Sequence, residues 1–323
     1  MSCPFCKSDA VIEILPAKEM TKGTRTVFEY AVCANCASAY ITKFPDDISQ
    51  YYEDYYSFGE ETLSVDDSKW KSLTVDIYSR LIVRTGLSFL VRSFFRCPSA
   101  WQMQFLTPNL QAFLFIGAKP GVRILDVGSG SGQFVRLMRR FGYTTATGID
   151  PFLKELPGHD YVRRGDINGT SGVYDILIFN HTLEHMPDPE AALNTSARLL
   201  SPDGVLLIQI PNLESREFSR FKEHWCWLHA PFHFAIPSRR GVELLADRSG
   251  FRVVDAICTS RADHYLYHDE YARDIADHDQ NSVRRALEDG SFNKAHYSEL
   301  SRLAHSLNKT LTGDWIAYYL KRA

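Results

Sequence analysis

The stretch Ile124-Leu125-Asp126-Val127-Gly128-Ser129-Gly130-Ser131-Gly132-Gln133-Phe134-Val135-Arg136-Leu137-Met138 decides the fold. Its first four residues make a short apolar run, the composition of a strand buried on both faces. Glycines at 128, 130 and 132 stop that run, and Phe134, Leu137, Met138 and Phe141 then recur at helical spacing. Strand, glycine turn and helix together bring backbone amides to a helix N-terminus, where a nucleotide-like ligand can approach closely. A dinucleotide site would require glycine at position 133, where this chain has Gln133. The pattern is instead Asp-x-Gly-x-Gly-x-Gly, with an acid two residues before the first glycine.

Downstream the alternation continues. Thr145 to Ile149 predicts a second strand ending in Asp150, 22 positions beyond Gly128, where an acid can accept from both hydroxyls of a ribose. Tyr161 and Val162 lead to a third strand end at Gly165-Asp166-Ile167. Tyr174 to Phe179 predicts a fourth strand, opening onto Asn180-His181-Thr182-Leu183-Glu184-His185. Asp188 caps the next helix, with Pro189 at its first position. Gly204 to Ile210 gives a fifth strand, Ser238 to Arg248 a helix closed by Gly250, Phe251 to Ile257 a sixth strand, and Trp315 to Leu320 the last. The chain therefore reads as α/β, a doubly wound Rossmann-like sheet with a small N-terminal metal-binding module and a helical insertion before the last strand.

Upstream, Cys3-x-x-Cys6 and Cys33-x-x-Cys36 form two knuckles. A two-residue gap lets both sulfurs of a knuckle face one ion, so Cys3, Cys6, Cys33 and Cys36 are the candidate ligands of a tetrahedral zinc. The 26 residues between the knuckles exceed the usual spacing, and a hairpin of Val11 to Leu15 with Thr26 to Ala31 would bring them together. A redox dithiol and unligated buried thiols are the alternatives. Tyr51, Tyr52, Tyr55 and Tyr56 then cluster with acids, as a linker packing on the next domain or as a lid over a ligand. Apolar residues from Ser68 to Phe95 recur at helical spacing, and a second helix is expected from Asn109 to Gly117. The domains expected are 1–48, the zinc module; 49–117, linker and helices; 118–260, the core; 261–312, the insertion; and 313–323, the final strand.

The 323 residues are 45% hydrophobic and 23% charged, an ordinary globular composition. With 36 basic and 39 acidic residues, the net charge of −3 argues against nucleic acid as partner through a broad basic field. Leu81 to Phe95 is interrupted by Arg84 and Arg92, too short an apolar run for a membrane span. The first residues lack the pattern of a signal peptide, so a cytoplasmic location is expected.

Ile124 to Gly132 resembles motif I of the class I S-adenosylmethionine-dependent methyltransferases, and the resemblance extends over roughly residues 118–257. It implies that S-adenosyl-L-methionine is the methyl donor. Asp126, Gly128, Ser129, Gly130 and Gly132 would hold its methionine part, Asp150 its ribose, and Asp166 with Ile167 its adenine. Phe152 is counted among the donor-binding residues, and Asn180 would start the segment beside the methyl group. The cysteine knuckles, the tyrosine-rich link and Pro231-x-His233 with Ser238 are similar to the zinc-ribbon methyltransferases found with polysaccharide and sugar-nucleotide biosynthesis. That resemblance implies a small-molecule acceptor: a sugar, a sugar nucleotide or a glycan precursor.

Removing a proton from a hydroxyl or carbon-acid acceptor requires a positioned base, for which histidine is the default. His185 follows the fourth strand, and His233 lies in the dense segment His224 to His233 after the fifth. His229 is a third candidate, and Glu184 could orient His185 or contact the donor. In related sugar C-methyltransferases the comparable segment carries Glu-His. Here Phe232 stands in the place of the glutamate, which favours an oxygen acceptor over carbon. The alternatives are a ribosomal- or transfer-RNA base methyltransferase with a zinc module, a sugar C-methyltransferase, and a non-catalytic binding protein on this fold. A second metal site from His224, His229 and His233 is disfavoured, because Pro231 would disturb the helix such spacing needs.

Overall fold

The computed structural model describes residues 2–45, 109–117 apart from 110 and 114, 121–153 apart from 141, and 160–323 apart from 293. The tyrosine cluster, the helix expected over 68–95 and Cys97 lie outside the described residues. Asn109 and its described neighbours up to Ile116 are helical, and Gly117 follows at φ +74°.

The N-terminal strands are β1 (Val11–Lys18), β2 (Val27–Cys33) and β3 (Ala39–Ile41). The core follows as β4 (Ile124–Val127), α1 (Gln133–Arg140), β5 (Thr147–Asp150), β6 (Val162–Arg164) and β7 (Tyr174–Asn180). Next come α2 (Pro189–Leu199), β8 (Leu200–Pro211), α3 (Arg216–Phe221), β9 (Ala235–Ile236), α4 (Arg239–Arg248) and β10 (Phe251–Cys258). The helices α5 (His268–Ala272), α6 (Val283–Glu288) and α7 (Lys294–Lys309) occupy the expected insertion, and β11 (Trp315–Arg322) closes the chain.

Seven strands form the core sheet in the order β10-β11-β8-β7-β4-β5-β6. β4 to β8 pair in parallel, and β11 inserts antiparallel between β8 and β10. The chain leaves β4 toward β5 and β6, then returns to build β7 and β8 on the other side. The switch of direction therefore falls between β4 and β7, and doubly wound folds bind ligands at the carboxyl ends of the strands there. Alternation along each strand fills both faces. Leu125, Val127, Leu177, Phe179, Leu206 and Ile208 pack on one side with Leu193 of α2 and Leu245 of α4. Ile124, Ile176, Ile178, Val205 and Leu207 pack on the other with Phe134, Val135 and Met138 of α1.

One feature was outside the reach of the sequence. The N-terminal sheet has the order β1-β2-β3-β9, so its fourth strand comes from beyond β8. The described residues 2–45 accordingly share their sheet with a strand from a distant part of the chain. Ser238 caps α4 by accepting from Gly241 N at 2.9 Å, its own amide donates to Ser38 Oγ at 3.1 Å, and its hydroxyl donates to Cys36 O. Cys3, Phe5, Cys33 and Cys36 share the core cluster of α4 and the central strands.

A Cβ added at Gly241 would collide with Ser38 Oγ. Gly241→Ala should therefore destabilise the whole protein by about 1–3 kcal/mol, the usual cost of overpacking. A single cooperative loss, followed by denaturant unfolding, is expected; an unchanged midpoint would show that the second knuckle does not press on the core.

Candidate active site

The donor side is built at the ends of β4 and β5. Gly128 N and Ser129 N both donate to Ile149 O, at 2.8 and 3.0 Å, folding the glycine turn back over β5. Asp150 Oδ2 accepts from Gly130 N at 2.9 Å, and its Oδ1 accepts from Phe152 N at 2.8 Å. The carboxylate expected to meet a ribose thus also holds the turn in shape. Gly128 and Gly132 have φ of +73° and +77°, and a Cβ would strike Thr182 at the first and Val162 at the second. Gly130, at φ +53°, has, beyond its chain neighbours, no atom of the described residues within 4 Å of such a Cβ. The outer two glycines therefore serve packing, and the middle one presents bare backbone.

Asp126 lies buried in β4, and its Oδ1 has no hydrogen-bond partner among the described residues. Burial, with the charge of Asp150 adding to it, pushes its pKa up to about 8. Ser129 Oγ and Asn180 Oδ1 are buried without partners as well, beside the same strand ends. A ligand carrying an amine and hydroxyls would satisfy these atoms, and S-adenosylmethionine has both. Phe152 is 55% exposed, an aromatic face next to Asp150. Asp166 is exposed, with Oδ1 accepting from Gly169 N at 3.0 Å, whereas Ile167 is packed into the core. Asp166 thus shapes the turn after β6.

A second cluster, made by the candidate catalytic residues, sits on the loop after β7 and on the segment that leads into β9. Thr182 donates to Val127 O at 2.9 Å, pinning the post-β7 loop against the glycine turn. Phe234 N donates to Glu184 O at 2.7 Å, and Tyr30 of β2 donates through its hydroxyl to His233 O at 2.7 Å. These bonds bring His185 and His233 together, their ring centroids 4.7 Å apart, with His229 a further 4.9 Å from His233. Nδ1 of His185 meets Phe232 O at 2.8 Å, and Nδ1 of His233 meets Trp227 O at 2.8 Å. A carbonyl only accepts, so each Nδ1 carries the proton and each Nε2 the lone pair. Burial lowers the pKa of all three histidines, that of His229 to about 3, so the rings are neutral near pH 7. Glu184 is fully buried; its Oε1 accepts from His181 Nδ1 at 3.3 Å, and its Oε2 has no partner among the described residues. His181 and His229 both lie at positive φ, +51° and +44°.

Four residues of this site escape a reading of the sequence. His181 lies tilted against Trp315 with ring centroids 3.8 Å apart, His264 likewise at 3.7 Å, and Trp227 approaches the same ring edge-on at 5.0 Å. Gln209 Oε1, His181 Nε2, His264 Nε2 and Trp315 Nε1 are buried beside them without a partner among the described residues. Residue 315 reaches residue 181 through the pairing of β11 with β8, and residue 264 follows β10, which pairs with β11; no local pattern announces either.

The four sulfurs of Cys3, Cys6, Cys33 and Cys36 lie within 4.8 Å of one another, with Cys3–Cys36 at 3.6 Å and Cys6–Cys33 at 3.4 Å. Metal–sulfur bonds of about 2.3 Å in a tetrahedron place sulfurs close to that spacing, so the donor set fits zinc. The Cys3–Cys36 contact pulls the Cys36 thiol down, to about 5, and pushes Cys3 up.

A methyltransferase-domain family matches residues 100–256. The trans-aconitate 2-methyltransferase of Deinococcus radiodurans is 33% identical over 112 residues, which span 32% of this chain and 42% of that protein. The ubiquinone/menaquinone biosynthesis C-methyltransferase UbiE of Shewanella halifaxensis is 23% identical over 214 residues, covering 60% of this chain and 75% of that protein. Among solved structures, a SAM-dependent methyltransferase from Archaeoglobus fulgidus aligns over 73% of this chain and all of its own length, at 20% identity and a TM-score of 0.44.

If Asp126 faces the cationic amine of the donor, binding favours its ionised form and expels a proton. Affinity for S-adenosylhomocysteine should then rise with pH from 6 to about 8, by at most about tenfold per unit, and then level off. Asp126→Asn should bind more weakly and lose that slope. Calorimetry across this range checks it, and a wild-type affinity indifferent to pH would remove Asp126 from the amine. Residues 100–256 are thus a methyltransferase domain, and the enzyme built on it is S-adenosylmethionine-dependent and of the class I fold.

Proposed function

We propose that the enzyme transfers the methyl group of S-adenosylmethionine to a hydroxyl oxygen of a small polyhydroxylated acceptor, a sugar, sugar nucleotide or glycan precursor. The observation that carries this reading is the group of buried, unpartnered polar atoms around the Trp315 ring, adjoining Glu184 and the histidines. Buried polar atoms without partners are costly, and a ligand with several hydroxyls would satisfy them at once. The indole faces of Trp315 and Trp227 suit the apolar C–H face of a sugar ring. The acceptor hydroxyl would lose its proton at the cluster of Glu184, His185 and His233 as its oxygen attacks the methyl carbon in line with the departing sulfur. His229 would stand behind His233, and Asn180 between cluster and donor. The relatives' names refer to acceptors as unlike as trans-aconitate and quinone precursors, so the acceptor reading rests on this chain's own residues. Among the described residues no helix is long and apolar enough to cross a membrane, and a cytoplasmic location accords with the reading.

Label from a methyl-labelled donor should enter a member of a sugar-nucleotide panel as an ether. Incorporation only into transfer or ribosomal RNA would overturn the proposal. With the acceptor in hand, His185→Ala and His233→Ala should each lower kcat, at least one of them by about 10²–10⁴-fold, with donor affinity kept within a few-fold. Near-wild-type turnover in both would free these histidines from the chemistry.

The four cysteines are proposed to hold a structural zinc, whose ligation fixes the knuckles against α4. Cys33→Ser should lose one equivalent of zinc, and because Tyr30 and β9 depend on that sheet, turnover should fall more than donor affinity. Protein purified without chelator and lacking zinc at the thiolates would refute this assignment.

A further inference from the structure

We propose that Glu184, His185 and His233 form a second metal site, distinct from the four cysteines, for a divalent transition ion on the acceptor side of the active site. One carboxylate oxygen and one ring nitrogen from each histidine lie within 4.8 Å of one another. Two histidines and a carboxylate make a set that suits zinc, cobalt or iron(II) and leaves coordination positions open to a ligand.

Three observations support the site independently of that proximity. Both histidines carry their Nδ1 proton toward a backbone carbonyl, Phe232 O and Trp227 O, at 2.8 Å each. This arrangement is typical of metal-bound imidazole, because it fixes the tautomer and aims the Nε2 lone pair. Glu184 is fully buried, with one oxygen held by His181 and the other, Oε2, without a partner among the described residues. An unpartnered carboxylate oxygen in the interior is strongly unfavourable, and a cation within bonding distance would compensate it. Finally, the ligand-bearing segments are fixed by backbone, through Phe234 N to Glu184 O and Tyr30 Oη to His233 O, both 2.7 Å. A site held by such bonds costs little reorganisation when an ion enters.

The consequence for catalysis rests on the proposed oxygen acceptor. A hydroxyl bound to the ion would release its proton to solvent, and the resulting alkoxide would take the methyl from the sulfonium, leaving S-adenosylhomocysteine. The ion, in place of a ring nitrogen, would then supply the acidity that a sugar hydroxyl lacks.

Metal binding alone tests the site, without any acceptor. Full-length protein is stripped of metal, given one equivalent of zinc to fill the thiolates, and titrated with Co²⁺. A second equivalent should bind with weak visible absorption and without the intense sulfur-to-cobalt charge-transfer bands of a thiolate site. Glu184→Gln and His233→Gln should weaken that second equivalent by at least about 10–100-fold, while S-adenosylhomocysteine binding reports that each variant is folded. If the zinc-loaded wild type shows no further cobalt spectrum, or if both folded variants bind cobalt like wild type, the site does not exist. A positive cobalt result with no sugar methylation would leave the metal site standing and the acceptor reading refuted.

Discussion

The hydrogen bond from Phe234 N to the carbonyl of Glu184 joins the two segments on which the proposed acceptor side depends. One is the loop that leaves β7 at the switch of the sheet. The other is the histidine-rich run that ends as β9 in a different sheet. Apart from single 3-10 turns (Leu183–His185, Lys222–His224, Cys226–Leu228) and the two residues of β9, both segments are loop, and a loop alone would not hold two imidazoles 4.7 Å apart. The constraint comes from outside the core: β9 pairs with β3, Tyr30 grips His233, and Ser238 grips the second knuckle. The N-terminal sheet therefore acts as a buttress to the histidine cluster. A zinc at its cysteines would stabilise that buttress, some distance along the chain from any chemistry.

The donor side follows a different economy. Its parts are backbone amides and two buried carboxylates at the carboxyl ends of parallel strands, where the sheet itself fixes their positions. Asp150 shapes the glycine turn through Gly130 and Phe152, and it is the carboxylate proposed to meet the ribose. Asp126 remains costly to ionise until a cation arrives. Unsatisfied polarity on both sides of Asn180 marks where ligands are meant to complete the structure.

The parts legible in the sequence are those with local signatures. The strand, glycine turn and helix of residues 124–140 combine a four-residue apolar run with a helical period, and both appear within one short window. Two CxxC knuckles announce their own convergence, and Asp188 and Ser238 announce helix starts by the chemistry of the N-cap. What stayed hidden is non-local. β9 is two residues long, Ala235 and Ile236, too short for any alternation to register. Trp315, His264 and His181 meet because β11 inserts antiparallel beside β8, a pairing set by the whole sheet. The separate duties of the three glycines also needed coordinates, since the spacing is the same whether a glycine avoids Thr182, avoids Val162 or faces a ligand.

The central claim is that donor turn and histidine cluster face one reaction point across Asn180, with the N-terminal sheet holding the second in register with the first. A crystal structure of the full chain with S-adenosylhomocysteine tests it most directly. The account predicts the amine near Asp126, the ribose near Asp150, and the sulfur turned toward Glu184, His185 and His233, with room between for one acceptor group. A sulfur that points away from those residues, or a ligand seated elsewhere on the sheet, would contradict it.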